Sequence, residues 1–277
     1  MQLAMLEDEI LPFDKLDNIY LDRGFYFGDG VYEVVRSYSG KIFAIEEHLE
    51  RLKRNLSEIN ITGVDINTIH SKINTAFEQA SISNAKIYLQ ITRGSAARNH
   101  TWEPAIKPNF FMTITELPDD KIDKKQGVAV VTCPDLRWKR CDIKSLNLLP
   151  NVLARQYAAE KGCAEAILIN DDGLITEGAA STFFALFGKT LQTTPLTENV
   201  LPSITRKYVL KAAQNIDLTI KEDYLTPQKA IQAEELFIAV TTKDIVPVIK
   251  FDDHIISDGK PGKSTKSIMD EFLTFTH

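Results

Sequence analysis

The segment ELPDDKIDKKQG, Glu116 to Gly127, most constrains how this 277-residue chain can fold. It is densely charged, carries Pro118 and Gly127 as breakers, and separates two stretches that each hold strand-like apolar runs and amphipathic helices. Such a segment reads as a connector between packed units. The expected division is a smaller N-terminal α+β domain over 1–117, a linker over 118–124 and a larger C-terminal α+β domain over 125–277. A chain of this length can give each unit its own core.

Before the connector, Val31–Tyr38 and Lys41–Ile45 are β-rich and flank Ser39-Gly40, which predicts a tight hairpin. Glu46–Asn60 predicts a helix with Leu49, Leu52, Leu56 and Ile59 on one stripe, and a second helix covers Ile66–Ala80. KIYLQITR alternates Ile87, Leu89 and Ile91 against Tyr88, Gln90 and Thr92, a half-buried strand, and FFMTIT follows as another. After the connector, VAVVTC, EAILIND, LITEGAASTFFALF and ELFIAVTT are strand-like, with turns at 171–173 and 187–189. Helices are expected over 148–161 and roughly 204–215, and a third starts with Thr226 as cap and Pro227 as first residue. Strands that pair locally, with helices between them, predict α+β rather than a doubly wound parallel sheet.

Composition narrows the function classes. Hydrophobic residues make up 44% and charged residues 25%, as in soluble globular proteins. A net charge of -6 without a Lys/Arg block argues against nucleic acid as a partner. Cys133, Cys141 and Cys163 form no CxxC pair, so neither a disulfide framework nor a zinc site is expected, and a reducing cytoplasm is the expected location. The opening MQLAMLEDEILPFDK is too acidic for a signal peptide, and no apolar run is long enough to span a bilayer. His48, His70, His254 and His277 show no metal-ligand spacing and read as ordinary histidines.

Candidate chemistry begins at RCDIKSLNLLPN. Proline is tolerated only in a helix's first turn, so with Asn147 as N-cap, Pro150 becomes the third helical residue, and Gly162 supplies the stop. Lys144 then lies just upstream of a positive helix end, which disfavours a cation by roughly 0.3–1 kcal/mol and so favours the neutral, reactive amine. On position alone, a solvent-facing lysine fits better. LPSITRKYVLKAA is a loop entering a helix whose first N–H groups can receive an anion. Arg98 and His100, two residues apart in RGSAARNH, can converge on one anion if that segment is extended; read locally they are a basic loop tip. Glu177 reads equally as a surface carboxylate beside a turn, and Arg51, off the leucine stripe, as a solvated helix face. Arg137 and Trp138 are expected on the strand that delivers Lys144.

DIKSLNLLPNVLARQYAAEKGCAEAIL, GLITEGAASTFF, RGFYFGDGVYEV and RGSAARNH together, in this order, resemble the fold-type IV pyridoxal-phosphate (PLP) aminotransferases, and among them the D-amino-acid aminotransferases. The resemblance covers nearly the whole chain. It implies two α+β domains, a homodimer with active-site residues shared across the interface, and PLP at the domain junction. By the same resemblance Lys144 is the Schiff-base lysine and proton shuttle, and Glu177 the carboxylate facing the pyridine nitrogen. Arg51, Ile204, Thr205 and Thr241 hold the phosphate. Tyr32, Arg98 and His100 bind the substrate carboxylate, the last two reaching over from the neighbouring subunit. The implied reaction is ping-pong transfer of the amino group of D-alanine or D-glutamate to pyruvate or 2-oxoglutarate; the alternatives are a branched-chain L-amino-acid aminotransferase or an aminodeoxychorismate lyase. The chain departs from the family pattern with Ser203 for a common glycine, and with Ala179, Ala180 and Val240 for common serines, which implies a less polar pocket.

Overall fold

A computed structural model describes residues 1–118, 121–197 and 199–276. The chain opens with an antiparallel hairpin of β1 (Leu3–Leu6) and β2 (Glu9–Pro12), followed by the one-turn helix α1 (Arg23–Phe27). Strands β3 (Gly30–Tyr38), β4 (Lys41–Ile42), β5 (Ala85–Thr92) and β6 (Asn109–Glu116) then form an antiparallel sheet in the order β4–β3–β5–β6. Alternation decides its faces. Val31, Val35, Ile87, Leu89 and Ile91 pack against Leu49, Leu52 and Leu56 of α2 (Ile45–Glu58) and Ile69 and Ile73 of α3 (Ile66–Ala80). Ser39 and Gly40 turn with φ of 47° and 84°, the doubly left-handed geometry that matches strand twist in a two-residue hairpin. The strand expected over 41–45 stops at Ile42, because Ala44 turns left-handed (φ 51°) and starts α2.

Within the expected linker, residues 119–120 lie outside the described residues. From Lys121 the chain coils into a short helix, α4 (Lys121–Gln126), and Lys124 Nζ reaches Asp244 Oδ2 at 2.7 Å.

Beyond Gly127 come β7 (Val128–Pro134), α5 (Leu149–Glu160), β8 (Glu165–Ile169), β9 (Ile175–Gly178), β10 (Thr182–Phe187) and β11 (Thr190–Thr193). They are followed by α6 (Ile204–Asn215), β12 (Thr219–Glu222), α7 (Pro227–Ala230), β13 (Glu235–Val240), β14 (Asp244–Phe251), β15 (His254–Ile255) and α8 (Lys263–Thr274). Among the described residues these strands form one sheet in the order β12–β11–β10–β13–β14–β7–β8–β9, with β15 on β14. The strands read as near-continuous apolar runs because both faces are covered. Phe183 and Ala185 enter one core, while Phe184 and Leu186 enter another beneath α6 and α8. The α+β expectation holds, with parallel pairings added at β7–β8, β14–β7 and β11–β12.

Other expectations are revised. The run 174–187 breaks at 179–181 into β9 and β10. Helix α5 is capped by Leu148, with no side-chain cap, so Pro150 is its second residue and Asn147 is not the N-cap. Asn147 instead lies against Gly28, where a Cβ would come within 2.5 Å of its Oδ1. Residues 135–148 form no strand; they run irregularly along β3, with the Tyr32 N–H donating to Lys144 O and the Leu146 N–H to Gly30 O, both at 3.0 Å. No helix among the described residues is long and apolar enough to cross a membrane.

Candidate active site

On β3, Val31, Glu33 and Val35 point into the α2 core, so Tyr32 and Val34 point the other way, into a cavity of about 610 Å³. The same cavity is lined by Arg51 of α2, Lys144, Glu177 of β9 and Thr241 at the β13–β14 turn. The Lys144 amine lies 4.3 Å from the centre of the Tyr32 ring, a contact that holds it over an aromatic face inside the cavity. The solvent-facing alternative is thereby set aside.

Arg51 is buried, not solvated. Its Nε and Nη2 donate to the two carboxylate oxygens of Glu33, both at 2.7 Å, and its Nη1 donates to Pro202 O at 2.9 Å. Glu33 also meets His48 Nδ1 at 2.8 Å, and both side chains are 1% exposed. Burial alone would raise the Glu33 carboxyl, but the Arg51 guanidinium and His48 pull it down to about 2. Burial holds the His48 imidazole below its ordinary range despite Glu33, so it is neutral at pH 7 and donates from Nδ1. His48 is therefore not an ordinary surface histidine. His70 stands near Glu46 on α2, His254 is exposed on β15, and His277 lies outside the described residues.

Pro202 leads into α6. Ser203 is its N-cap, with Oγ accepting the Arg206 N–H at 3.1 Å, which leaves the N–H groups of Ile204 and Thr205 ahead of the helix's own ladder. Thr205 and Thr241 bring their hydroxyls within 3.4 Å of each other. Ser203 and Thr241 line the cavity, and Ile204 and Thr205 are buried immediately beside Ser203. A guanidinium, hydroxyls and a free helix N-terminus make this region suited to a phosphate.

Glu177 is buried and accepts from Arg137 Nη1 at 2.5 Å and from the Leu201 N–H at 3.2 Å. Burial pushes its carboxyl above the ordinary range even though Arg137 draws it down. Arg137 is itself shared, donating Nε and Nη2 to Asp135 at 2.9 and 2.8 Å. A further cationic N–H beside Glu177 would stabilise the carboxylate there, which is what a protonated ring nitrogen supplies. The hydroxyl of Thr182, also in the cavity lining, is buried without a hydrogen-bond partner among the described residues. The residues present thus fit a phosphorylated, nitrogen-containing ring bound through an amine.

Val240 lines the cavity without a hydroxyl, and so do Ala179 and Ala180, in keeping with the less polar pocket that the departures from the family pattern imply. The turn that the two alanines begin is anchored from outside: Glu165 accepts the Ala180 N–H at 3.3 Å and the Ser181 hydroxyl at 2.9 Å. Trp138 lines the cavity too, and at 41% exposed it is not core packing.

Arg98 and His100 are not brought to this cavity. Both are exposed, on the loop between β5 and β6, where the Arg98 guanidinium lies 5.0 Å from the Phe27 ring centre and the His100 ring 5.5 Å from it. Sequence reasoning gave no role to Glu33 or His48. Their signal was a carboxylate placed between two inward valines, with a histidine and an arginine three residues apart on the helix facing them.

The sequence pattern of the family described as amino-transferase class IV matches residues 30–251. The chain is 39% identical over 278 residues to a D-alanine aminotransferase of Staphylococcus epidermidis, covering 98% of this chain and 97% of that one. It is also 39% identical over 253 residues to a D-alanine aminotransferase of Bacillus licheniformis, covering 89% and 87%. Among solved structures, the branched-chain amino acid aminotransferase of Escherichia coli superposes with a TM-score of 0.87 at 21% identity, covering 96% of this chain and 91% of that one. A putative 4-amino-4-deoxychorismate lyase of Legionella pneumophila superposes with a TM-score of 0.83 at 19% identity, covering 92% and 94%.

Proposed function

The chain belongs to the amino-transferase class IV family, and from that premise we propose that it is a PLP-dependent D-amino-acid aminotransferase, moving the amino group of D-alanine or D-glutamate to pyruvate or 2-oxoglutarate. The observation that carries this reading is one cavity holding an amine over an aromatic face, a buried carboxylate raised by burial, and an arginine beside a free helix N-terminus. Arg51, Thr241 and the N–H groups of Ile204 and Thr205 would hold the phosphate, Glu177 the ring nitrogen, and Lys144 the aldehyde carbon.

Bound there, PLP supplies an electron-poor ring that takes up the electron pair left when the substrate's Cα–H bond breaks. The protein's own part is to manage protons and orientation. With its amine free, Lys144 would take the proton from Cα as a general base and deliver it as an acid to the former aldehyde carbon of the cofactor. Glu177, held ionised by Arg137 and by a cationic ring nitrogen, would keep the ring in its electron-accepting form. Arg98 and His100, lying off this chain's own cavity, would serve a second subunit's cavity, and together with Tyr32 would grip the substrate carboxylate.

The homodimer this requires is supported by an exposed apolar stripe on α5: Leu149, Val152, Leu153 and Tyr157, at the spacing of one helix face. We further read the chain as two domains, 1–117 and 125–277, joined through 118–124, acting in a reducing cytoplasm with no nucleic-acid or membrane partner.

The test is spectral and chemical. Purified protein reconstituted with PLP should be yellow, D-alanine alone should bleach the colour, and 2-oxoglutarate should restore it. Lys144→Ala should lose the yellow band and at least about 10³-fold of the turnover. Bleaching by L-leucine but not D-alanine would point instead to a branched-chain L-enzyme, and pyruvate release from aminodeoxychorismate to a lyase. A protein that never takes up PLP would end the proposal.

A further inference from the structure

The loop that carries Arg98 and His100 has no strand ladder to fix it, yet its backbone is tied down at its tip. Arg23, 3% exposed, donates Nη1 to Asn99 O at 2.5 Å and to Thr101 O at 3.3 Å, and Nη2 to His100 O at 3.0 Å. Three successive carbonyls therefore converge on one guanidinium. Its remaining edge is fixed as well: Nε donates to Asp29 Oδ2 at 2.8 Å, and Asp29 is shared with Arg93, whose guanidinium lies 3.8 Å from the Trp102 ring centre. A planar, five-donor group satisfied on this scale has little freedom left.

The side chains are held from the same short helix. Phe27, one turn beyond Arg23, is the ring on which both members of the pair rest, Arg98 at 5.0 Å and His100 at 5.5 Å. Arg23 itself lies 4.9 Å from that ring. Helix α1 is in turn pinned at both ends, by the Asp22 side chain accepting the Gly24 N–H at 2.6 Å and by a left-handed Gly28. Backbone and side chains of the loop thus take their positions from two residues, four apart, on one element.

We infer that α1 is the seat that presets the anion-binding pair, with Arg23 fixing the loop backbone and Phe27 setting the distance and angle between the Arg98 guanidinium and the His100 imidazole. Arg23 and Phe27 are positioning residues: neither touches the substrate, and the inference rests on the reading of Arg98 and His100 as carboxylate ligands given above. It holds whichever subunit's cavity the pair serves. A pair already docked on a ring binds a carboxylate without first being ordered, so the seat acts on substrate affinity and not on the proton transfers at Lys144.

The test uses the PLP-loaded enzyme. Phe27→Leu keeps an apolar side chain at a half-buried position and removes the aromatic face. It should raise KM for D-alanine about five- to tenfold, with kcat changed less than about twofold, and weaken calorimetric binding of D-lactate, which has the carboxylate but no amine, by a similar factor. Phe27→Tyr should restore both. In an Arg98→Ala/His100→Ala background, Phe27→Leu should add nothing, because its effect runs through the pair it seats. Arg23→Lys, which keeps the charge but loses the three-carbonyl fork, should repeat the KM effect and speed amide hydrogen exchange at residues 98–101. If Arg98→Ala weakens D-lactate binding but Phe27→Leu does not, or if the effect of Phe27→Leu persists undiminished in the Arg98→Ala/His100→Ala background, the seat is wrong while the carboxylate reading stands. If Arg98→Ala itself leaves D-lactate binding and KM unchanged, the carboxylate reading has failed and the seat with it.

Discussion

Glu33 occupies a strand position that its neighbours mark as core, and the fold keeps it ionised there by giving it Arg51 and His48. Its carboxyl titrates near 2 in the folded protein against an ordinary 4.5, so its contribution is complete above about pH 4.5 and drains away as the pH falls toward 2. The difference is worth on the order of 3 kcal/mol. His48, depressed by burial, acts in the same direction, since below its ordinary value the unfolded chain takes up a proton that the folded one refuses. Urea midpoints should therefore fall steeply between pH 6 and pH 3. Glu33→Gln should be less stable at pH 7 and have a flatter acid limb; an unchanged acid limb would show that some other carboxylate governs it. At this scale the sequence was partly legible. Lys144, Glu177 and Thr241 stood in motifs, but nothing local told a solvated Arg51 from a buried one, because burial was decided by Glu33 on another element.

At the scale of elements, α2 and α3 were readable because their apolar residues recur on one stripe. α8 was not, since its apolar residues Ile268, Met269, Phe272 and Leu273 crowd into its second half and leave the first turns polar. α5 misled at its start: Asn147 looks like a cap, but its side chain is engaged against Gly28, and Leu148 takes the cap position with no side-chain bond. α6 has the better-made terminus. Ser203→Ala should cost about 1 kcal/mol in the urea midpoint, Ser203→Gly only a few tenths, and both should weaken retention of phosphate-bearing ligands if the freed Arg206 N–H unsettles the first turn. A midpoint unmoved by Ser203→Ala would mean that water replaces the cap without loss.

For the whole molecule, hairpins such as β3–β4 follow from local turn chemistry, whereas the β7–β8 and β14–β7 pairings join strands separated by helices and irregular chain. Their register is set by how the helices pack, which no local pattern encodes. The proposed dimer rests likewise on what a single chain leaves uncovered. If the proposed dimer closes over the α5 stripe, Leu153→Glu, at an exposed position on it, should leave secondary structure intact, shift light-scattering mass from two chains to one, and abolish turnover by taking the proposed partner arginine and histidine from each cavity. A variant that stays dimeric would move the interface elsewhere.

The irregular segment before α5 is aligned on β3 by main-chain hydrogen bonds, the Tyr32 N–H on Lys144 O and the Leu146 N–H on Gly30 O. Main-chain atoms are the same in every residue. The register of the Lys144 backbone on β3 is therefore set by alignment, while the place of its amine is set by the Tyr32 ring. Such a seam tolerates substitution and punishes insertion. One residue inserted between Gly30 and Tyr32, or between Lys144 and Leu146, would carry the amine out of register, whereas an exchanged side chain leaves both bonds able to form.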